Sequence, residues 1–430
     1  MYLILRFCTA SLIGMLSLST PSLAKDTTAA ATPLTLAQAV DEAMAHSPRV
    51  ASADASVKAA EGALYQAGAL PNPSLGVEGE NIAGSGNYKG IKSADITYGL
   101  SQQIELGGKR GAREDAATHR RQMAVLDAAK VRLDVTRDVK QAFASAVSAQ
   151  ESLRLAEDAL GIAEQELKSV SRRVAEAASP LIQKSKAEVT LATARFNVEQ
   201  ARQEQATTRM QLATLLGRSH LPETLDASSF FDVSEPEQTD EDAIERTPDM
   251  LRLRVEEAQA EALLDIEKAG AVPDPTVSLG VRELRETSDR AFVVGLSIPL
   301  PVMNSNRGNI DAARAEVSRT ESDQQSARLA LLQRYAEAKG ALRTAYVKAT
   351  SYKGTVLPAA EQAFALSRQG YGAGKFQYLE VLDAQRTLFD ARAQYMSALR
   401  DYHMRKAELE RLNAPYEMNE KTAGESDENE

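Results

Sequence analysis

The chain has 430 residues, a formal net charge of −10 and no tryptophan, and only 5% of its residues are aromatic. An acidic chain is a poor partner for the phosphate backbone of nucleic acid, so we expect no nucleic-acid ligand. Abundant alanine, glutamate, glutamine and arginine favour long helices over a compact mixed core. No internal stretch of about twenty apolar residues is present, so no transmembrane helix is predicted in the mature chain.

Residues 1–24 have the pattern of a secretory signal peptide. Arg6 supplies a positive charge, an apolar run follows, and small residues precede a cleavage site after Ala24. A buried N-terminal helix is the alternative. The only cysteine, Cys8, precedes the apolar run, which is the wrong order for a lipoprotein site, so lipidation is not expected. The mature chain would then have no disulfide, no thiolate metal site and no cysteine nucleophile.

The sequence contains an internal duplication. GALPNPSLGVEGE begins at Gly68 and GAVPDPTVSLGVR at Gly270, an offset of 202 residues. LSQQIELGGKRGAREDAA from Leu100 aligns without gaps to LSIPLPVMNSNRGNIDAA from Leu296, an offset of 196 residues. An ordered series of matches at nearly constant spacing indicates two copies of one unit, not chance similarity between alanine-rich helices.

The duplication divides the mature chain into a first repeat, an equatorial linker, a second repeat and an acidic tail that is predicted to be disordered. These segments are residues 25–217, 218–247, 248–414 and 415–430. Each repeat begins with a helix that starts at a proline after Ser or Thr and ends before a Pro-x-Pro sequence. Two strands follow, because apolar and polar residues alternate there. The predicted strands are at about 74–82, 94–104, 275–284 and 290–300.

A very long helix is predicted after each strand pair, at about 108–178 and at about 304–372. At 1.5 Å per residue, the first would span on the order of 100 Å. Leu126 and Leu133 are seven residues apart, which is coiled-coil spacing. Pro358 predicts a kink in the second long helix. A break and a return helix follow each long helix.

Four strands that each have one apolar face need a surface to cover that face. Strands of about ten residues match the wall of an outer-membrane barrel. Four strands cannot close a barrel, and open edges are not tolerated in lipid, so several chains would have to share one barrel. Packing of the strands on the helices of a soluble domain is the alternative, which the strand lengths disfavour.

Three motifs together resemble the TolC-type outer-membrane factors, over nearly the whole mature chain. They are ALPNPSLGVEGEN from Ala69, LSQQIELGGKRGAR from Leu100 and YGAGKFQYLEVLDAQRTL from Tyr371. The second is most similar to the CzcC-like branch, which serves efflux of divalent heavy metals. The resemblance implies an α+β fold, mostly α, in which long coiled helices form a periplasmic α-barrel. It also implies that two β-hairpins per chain join a trimeric twelve-stranded barrel.

The same resemblance implies a homotrimer in the bacterial outer membrane that extends into the periplasm. Its implied partners are a periplasmic adaptor (a membrane fusion protein), an inner-membrane RND pump and outer-membrane lipid. The implied function is a passive exit duct for cations of the cobalt, zinc, cadmium and nickel type. Two alternatives stay open: the same duct for drugs or small organic molecules, and a soluble periplasmic coiled-coil adaptor or scaffold.

Special residues occur where helix and strand should meet. Proline pairs cannot continue a helix, and adjacent glycines allow a sharp passage from strand to helix. The predicted barrel–helix junction residues are Pro71, Pro73, Gly107, Gly108, Pro273 and Pro275. Lys109, Arg110 and Arg113 follow, and we expect them either near lipid headgroups or simply solvating the helix start.

The break before the last helix contains the candidate gate. Its glycines permit a tight turn, and the resemblance assigns Tyr371 to the family's gate network. The predicted tip-turn and gate residues are Gly370, Tyr371, Gly374 and Lys375. Lys375 and Phe376 depart from the family pattern, so the interactions that lock the gate are not implied by it.

Glu380 and Asp383 are three residues apart and share one face of the return helix. In the family the matching positions are acidic and form a carboxylate ring at the periplasmic mouth. Three chains would supply six carboxylates, which attract cations. An ordinary solvated helix face is the alternative. The counterparts in the first repeat, Gln183 and Lys186, are not acidic.

The sequence carries no motif of a hydrolase, a metalloprotease, a nucleotide-binding loop or a dinucleotide-binding fold. We therefore predict neither an enzyme nor a bound cofactor. The histidines are scattered and are predicted to be ordinary helix or loop residues, not metal ligands. They are His46, His119, His220 and His403.

Overall fold

The structure is a computed structural model that describes residues 33–222, 224–236 and 241–416. The predicted signal peptide and nearly all of the predicted acidic tail lie outside these residues. The helices are α1 (Leu36–His46), α2 (Pro48–Ala67), α3 (Lys109–Ala175), α4 (Leu181–Leu215), α5 (Pro248–Gly270), α6 (Arg307–Ser351), α7 (Leu357–Gly372) and α8 (Tyr378–Asn413). The strands are β1 (Ser74–Glu80), β2 (Asp95–Gln103), β3 (Thr276–Leu284) and β4 (Asp289–Ser297).

The central element is α3, a single helix of 67 residues. At 1.5 Å per residue it is about 100 Å long. It continues without interruption through Gly111 and Gly161, and it packs along α2, α4, α5 and α8. Across the described helices, none combines the length and the apolar character that a membrane span requires. The predicted fold class, α+β and mostly α with an internal duplication, is confirmed.

The second long helix differs from the prediction. The sequence predicts one helix with a kink at Pro358, but the structure has α6, a π-helical turn at Tyr352–Val356, and then α7. Proline has no N–H, and its ring would clash with the carbonyl four residues earlier, at Gly354. The π turn, in which the Leu357 N–H donates to the Tyr352 carbonyl, re-routes the backbone just before Pro358.

The four strands form one antiparallel sheet in the order β1-β2-β3-β4, so β2 of the first repeat pairs with β3 of the second. Apolar side chains align across all four strands in two neighbouring rows. The rows are Leu75, Leu100, Leu279 and Val294, and Val77, Tyr98, Val281 and Phe292. All eight are exposed, and we call this surface the apolar sheet face. Within the described chain, β1 and β4 each keep one edge without a strand partner.

Of the three buried clusters in the described chain, two pack the linker and the far end of the helices. The larger lies where α1, α3, α4 and α8 meet the linker, around Phe143, Leu212 and Leu399. The linker contributes Leu225 and Phe230 to it, so this polar-looking segment packs onto the helices. The second cluster lies at the far end of the helices and includes Val170, Ala187, Phe364, Tyr378 and Val381. We call this end, with its two helix–helix turns, the tip.

Candidate functional site

The turn between α7 and α8 carries the four predicted tip residues. The Gly374 N–H donates to the Tyr371 carbonyl at 3.0 Å, and the Lys375 N–H donates to the Gly370 carbonyl at 2.8 Å. This is a Schellman motif, and Gly374 takes the left-handed position, with φ +71°. The ring of Phe376 lies where a Cβ on Gly370 would be. The two glycines are therefore needed for different reasons, one for its dihedral angle and one for its lack of a side chain.

The turn between α3 and α4 has the same motif without glycine. The Ala178 N–H donates to the Arg173 carbonyl at 2.8 Å, and the Ala177 N–H donates to the Val174 carbonyl at 3.1 Å. Ala177 takes the left-handed position, with φ +55°. A Cβ makes this conformation unfavourable by roughly 1–2 kcal/mol. The first repeat thus keeps a strained version of the turn that glycine supports in the second.

Tyr371 connects α7 to the three other helices of the tip. The guanidinium of Arg173 on α3 lies 4.7 Å from its ring centroid, and Arg173 Nη1 donates to its carbonyl at 3.4 Å. Its hydroxyl donates to Oε1 of Gln183 on α4 at 3.3 Å, and its ring lies 5.5 Å from that of Tyr378 on α8. Arg173 and Gln183 are partners that sequence reasoning missed, because no local pattern indicates them.

Glu380 and Asp383 lie at the start of α8, and both are exposed. Tyr378 and Val381 are buried, so the carboxylates occupy the side of the helix that faces away from the tip cluster. Neither carboxylate forms an ion pair with another residue of the described chain. A helix N-terminus attracts negative charge, which favours ionised carboxylates in the first turn. Lys375, in the preceding turn, is also exposed.

At the opposite end, Asp274 organises the junction between the sheet and the helices. Its Oδ1 lies 2.7 Å from Nζ of Lys109 and accepts the Leu106 N–H at 2.9 Å, and its Oδ2 accepts from Gln103 Nε2 at 3.0 Å. Burial alone would raise the pKa of Asp274, but the hydrogen bonds from Lys109, Leu106 and Gln103 outweigh it and lower that pKa. Asp274 is the middle residue of the second Pro-x-Pro sequence.

Gly107 and Gly108 both have left-handed φ angles, +72° and +76°, and Gly108 caps α3. A Cβ on Gly107 would lie 2.7 Å from Val272, so this position requires glycine for space as well. In the second repeat the left-handed cap of α6 is Asn306, with φ +60°. The ungapped alignment that the sequence predicts pairs Gly108 with Asn304 and is wrong here, because five residues separate β2 from α3 whereas nine separate β4 from α6.

The four junction prolines lie in the segments that connect helix to strand: Pro71 and Pro73 between α2 and β1, and Pro273 and Pro275 between α5 and β3. Two of these prolines accept hydrogen bonds, through their carbonyl oxygens, from residues at the end of β2. The Pro275 carbonyl accepts the Ile104 N–H at 2.9 Å, and the Pro71 carbonyl accepts from Gln102 Nε2 at 2.9 Å. The prolines therefore end helices and also fix the bases of the strands.

The cations after the glycine pair have partners within the protein. Arg113 binds both oxygens of Glu105, and this hydrogen bonding lowers the pKa of the Glu105 carboxyl. Arg110 Nε lies 3.1 Å from Oε1 of Glu114, and Lys109 pairs with Asp274. Simple solvation does not describe Lys109 and Arg113, which hold the junction together. Their contact with lipid headgroups stays a prediction.

No group of three or more His, Cys, Asp or Glu side chains that could hold a metal ion occurs in the part of the chain that the structure describes. His403 Nε2 donates to the Phe230 carbonyl at 2.9 Å, and the two rings stack at 5.3 Å. Burial lowers the pKa of His403. This histidine attaches the linker to α8.

The sequence profile of the family described as "Outer membrane efflux protein" matches residues 39–218 and 241–414, one stretch in each repeat. The chain belongs to the outer membrane efflux protein family. Membership assigns the protein to the outer membrane and accounts for the apolar sheet face, which no part of the described chain covers. It also accounts for helices that are far longer than a bilayer is thick.

Curated relatives cover most of the chain. It is 33% identical over 387 residues to the cobalt-zinc-cadmium resistance protein CzcC of Cupriavidus metallidurans strain CH34, covering 89% of this chain and 90% of that protein. It is 27% identical to the nickel-cobalt-cadmium resistance protein NccC of Alcaligenes xylosoxydans xylosoxydans, covering 67% of this chain and 66% of that protein. The predicted resemblance to the CzcC-like branch is confirmed.

A solved structure of CusC, described for its folding and transmembrane channel formation, has the same fold. The TM-score is 0.75 at 19% sequence identity, over 89% of this chain and 92% of that one. At such low identity the likeness shows the architecture alone. Family members are efflux channels, and the described chain is built as one of them.

Proposed function

We propose that the chain is the outer-membrane exit duct of a tripartite efflux system and that its cargo is divalent heavy-metal cations of the cobalt, zinc, cadmium and nickel type. The assignment of the cargo rests on the 33% identity to CzcC over 89% of the chain. A duct makes and breaks no bond and needs no cofactor. Passage requires only a polar path whose sites release the cation as readily as they admit it.

The functional unit is a homotrimer with a twelve-stranded barrel. The support is the pair of open sheet edges, on β1 and β4, at the sides of an exposed apolar face. Unpaired backbone groups are not tolerated in lipid, so β4 of one copy pairs with β1 of the next until the sheet closes. A strand of nine residues spans about 30 Å and, when tilted, matches the apolar band of about 25 Å in outer-membrane barrels.

The helices form the periplasmic part of the conduit. Each repeat supplies one long helix and one return helix, and three copies supply six such pairs. The junction residues, the four prolines with Gly107 and Gly108, turn the chain from barrel wall to helix wall. The ion pair of Lys109 with Asp274 fixes this turn by tying the start of α3 to the base of β3.

The tip is the gate, and Glu380 with Asp383 supplies a carboxylate ring at its mouth. Both side chains are exposed and form no ion pair with the described residues, and three copies place six carboxylates around one axis. Such a ring raises the local concentration of cations and repels anions. Tyr371 holds the closed arrangement, because it is the residue that contacts α3, α4 and α8 at once.

A passive duct does no work on its cargo, so the energy comes from partners. We assign this role to a proton-driven inner-membrane RND pump, with a periplasmic adaptor that engages the tip and opens it. Outer-membrane lipid surrounds the apolar sheet face. This assembly accounts for a chain that combines a membrane sheet with helices of about 100 Å.

The test is metal tolerance and retained metal in a deletion strain, complemented by the wild-type chain. Cobalt, nickel, zinc, cadmium, copper and silver are compared with a panel of dyes and antibiotics. We expect sensitivity to a subset of the divalent metals and accumulation of those metals in the cells. Sensitivity to organic compounds alone would keep the duct and refute the metal cargo.

A further inference from the structure

A buried carboxylate lies near the tip, outside the proposed ion path. Glu166 on α3 is 9% exposed, and both of its carboxylate oxygens are buried without accepting a hydrogen bond from any described residue. Burial without such bonds strongly disfavours the ionised form. The matching residue of the second repeat is Ala363, so the carboxylate does not belong to the duplicated framework.

Glu166 lines a cavity of about 180 Å³ between α3, α7 and α8. The titratable groups in the cavity wall are Arg173 from α3 itself, Arg368 and Tyr371 from α7, and Tyr378 from α8. The Tyr378 hydroxyl is also buried, and it has no hydrogen-bond partner in the described part of the chain. Although α4 packs on α3 as well, it contributes no residue to this wall.

Both cations of the cavity rest on aromatic rings. Arg173 lies over Tyr371 at 4.7 Å, and its Nε is buried without a hydrogen-bond partner among the described residues. Arg368 lies over Phe364 at 5.6 Å. Neither guanidinium donates to Glu166. An ionised Glu166 would therefore lack the hydrogen bonds that a buried charge needs, which favours the neutral form.

We propose that Glu166 is a proton-binding site that favours the closed tip, an inference that rests on the proposed gate. With the proton bound, Glu166 is neutral and stays buried between α3, α7 and α8. When the proton leaves, the carboxylate carries a charge in a site that offers it no hydrogen bond from the described residues, and the packing of α3 on α7 and α8 is weakened. The contact of Arg173 with Tyr371 is then lost more readily, and the tip opens. Glu166 is thus a positioning residue, which acts on the gate through the packing of the tip helices.

The direction of the pH dependence follows from burial. Burial raises the pKa of Glu166 from 4.5 to about 7, and the attraction of Arg368 only partly opposes this. The packed tip therefore holds a proton that an exposed glutamate would have released. The stability that the bound proton gives to the packed tip is complete below pH 4.5 and is lost as the pH rises through about 7. This regulation does not depend on which cargo passes.

The test uses the purified full chain in planar lipid bilayers, with open probability measured across neutral pH. We expect the open probability of the wild type to rise by at least about tenfold as the pH rises through about 7, because each pH unit above the pKa of the packed tip disfavours that state about tenfold. Glu166→Gln should be flat and stay mostly closed. The matched control Glu164→Gln changes an exposed carboxylate on the same helix, and it should keep the wild-type response.

Two further variants separate the cations. Arg173→Gln should be open at all pH values, because no guanidinium remains on Tyr371. Arg368→Gln should keep the pH response but shift it to higher pH, because the attraction that stabilises the ionised carboxylate is removed. Persistence of the pH response in Glu166→Gln overturns the proposal, and so does a wild type that is insensitive to pH.

A structural measurement guards against a variant that fails to fold. Cys8, the only natural cysteine, lies in the predicted signal peptide, so Ala178→Cys and Lys375→Cys introduce unique sites for spin labels, one in each tip turn. In the otherwise wild-type chain we expect the distance between labels to lengthen above neutral pH. An unchanged distance overturns the proposal whatever happens to Glu166→Gln.

Discussion

Lys109 and Asp274 form an ion pair that joins the two repeats where strands pass into helices. Nζ and Oδ1 are 2.7 Å apart, and the two side chains are only 17% and 10% exposed. Asp274 is the middle residue of the second Pro-x-Pro sequence, and the first repeat has the exposed Asn72 in its place. The residue by which the two Pro-x-Pro sequences differ thus supplies this contact between the repeats.

Asp274→Asn makes the two Pro-x-Pro sequences identical and replaces the carboxylate with a neutral amide of the same shape. We expect the free energy of unfolding in detergent to fall by about 1–3 kcal/mol, because Lys109 keeps its charge in a partly buried site without a counter-ion. The pKa of Asp274 is lowered in the folded chain. The stability that its carboxylate contributes is therefore complete above the pKa it has in the unfolded chain, and it is lost as the pH falls through the pKa it has in the folded chain. The difference between wild type and variant should therefore shrink in acid. Asn72→Ser is the control and should change stability by no more than about 0.5 kcal/mol.

The two tip turns provide a matched pair of substitutions. Ala177→Gly should stabilise the chain by about 1 kcal/mol, because the left-handed conformation at this residue suits glycine better than alanine. Gly374→Ala should destabilise it by a similar amount. Denaturant unfolding of both variants measures the two effects. Equal shifts in the same direction would mean that the dihedral angle does not control either turn.

Truncation of Tyr371 should open the tip in two steps. Tyr371→Phe removes only the hydrogen bond to Gln183, worth about 0.5–1.5 kcal/mol, so the open probability should rise by less than about tenfold. Tyr371→Ala also removes the stacking on Arg173 and should have a larger effect. Bilayer recordings of both variants test this, with Gln183→Ala as a control that should match the phenylalanine variant. If the phenylalanine variant opens as fully as the alanine variant, the stacking on Arg173 is not what holds the gate.

The carboxylates at the mouth should determine ion selectivity. In the double variant Glu380→Lys with Asp383→Lys, the ring changes sign, so the permeability ratio of cation to anion should fall several-fold. Reversal potentials in asymmetric salt measure this ratio. Glu188→Lys reverses one exposed carboxylate on the return helix of the first repeat and should have little effect. Unchanged selectivity in the double variant would show that the carboxylate ring does not control ion permeation.

The sequence predicts the elements that depend on local pattern. Alternation locates all four strands because a strand shows its two faces over a few residues, and Gly374 is recognisable because a tight turn favours glycine. The π turn at Tyr352–Val356 is harder to predict from the sequence, because Pro358 changes the backbone of the residues that precede it. The two longer-range features, the burial of Glu166 and the Lys109–Asp274 pair, depend on helices and repeats that are distant in sequence. No local pattern reports them.

The pairing of β2 with β3 has a consequence for synthesis and export. Tyr98 can pair with Val281 only after the second repeat has been made, so the four-stranded sheet cannot form from the first repeat alone. Until then the first hairpin presents apolar side chains and two open edges, which invite aggregation. A chain in this state is expected to need protection from aggregation until its second hairpin has folded. Insertion of the complete four-stranded sheet into the bilayer requires both repeats.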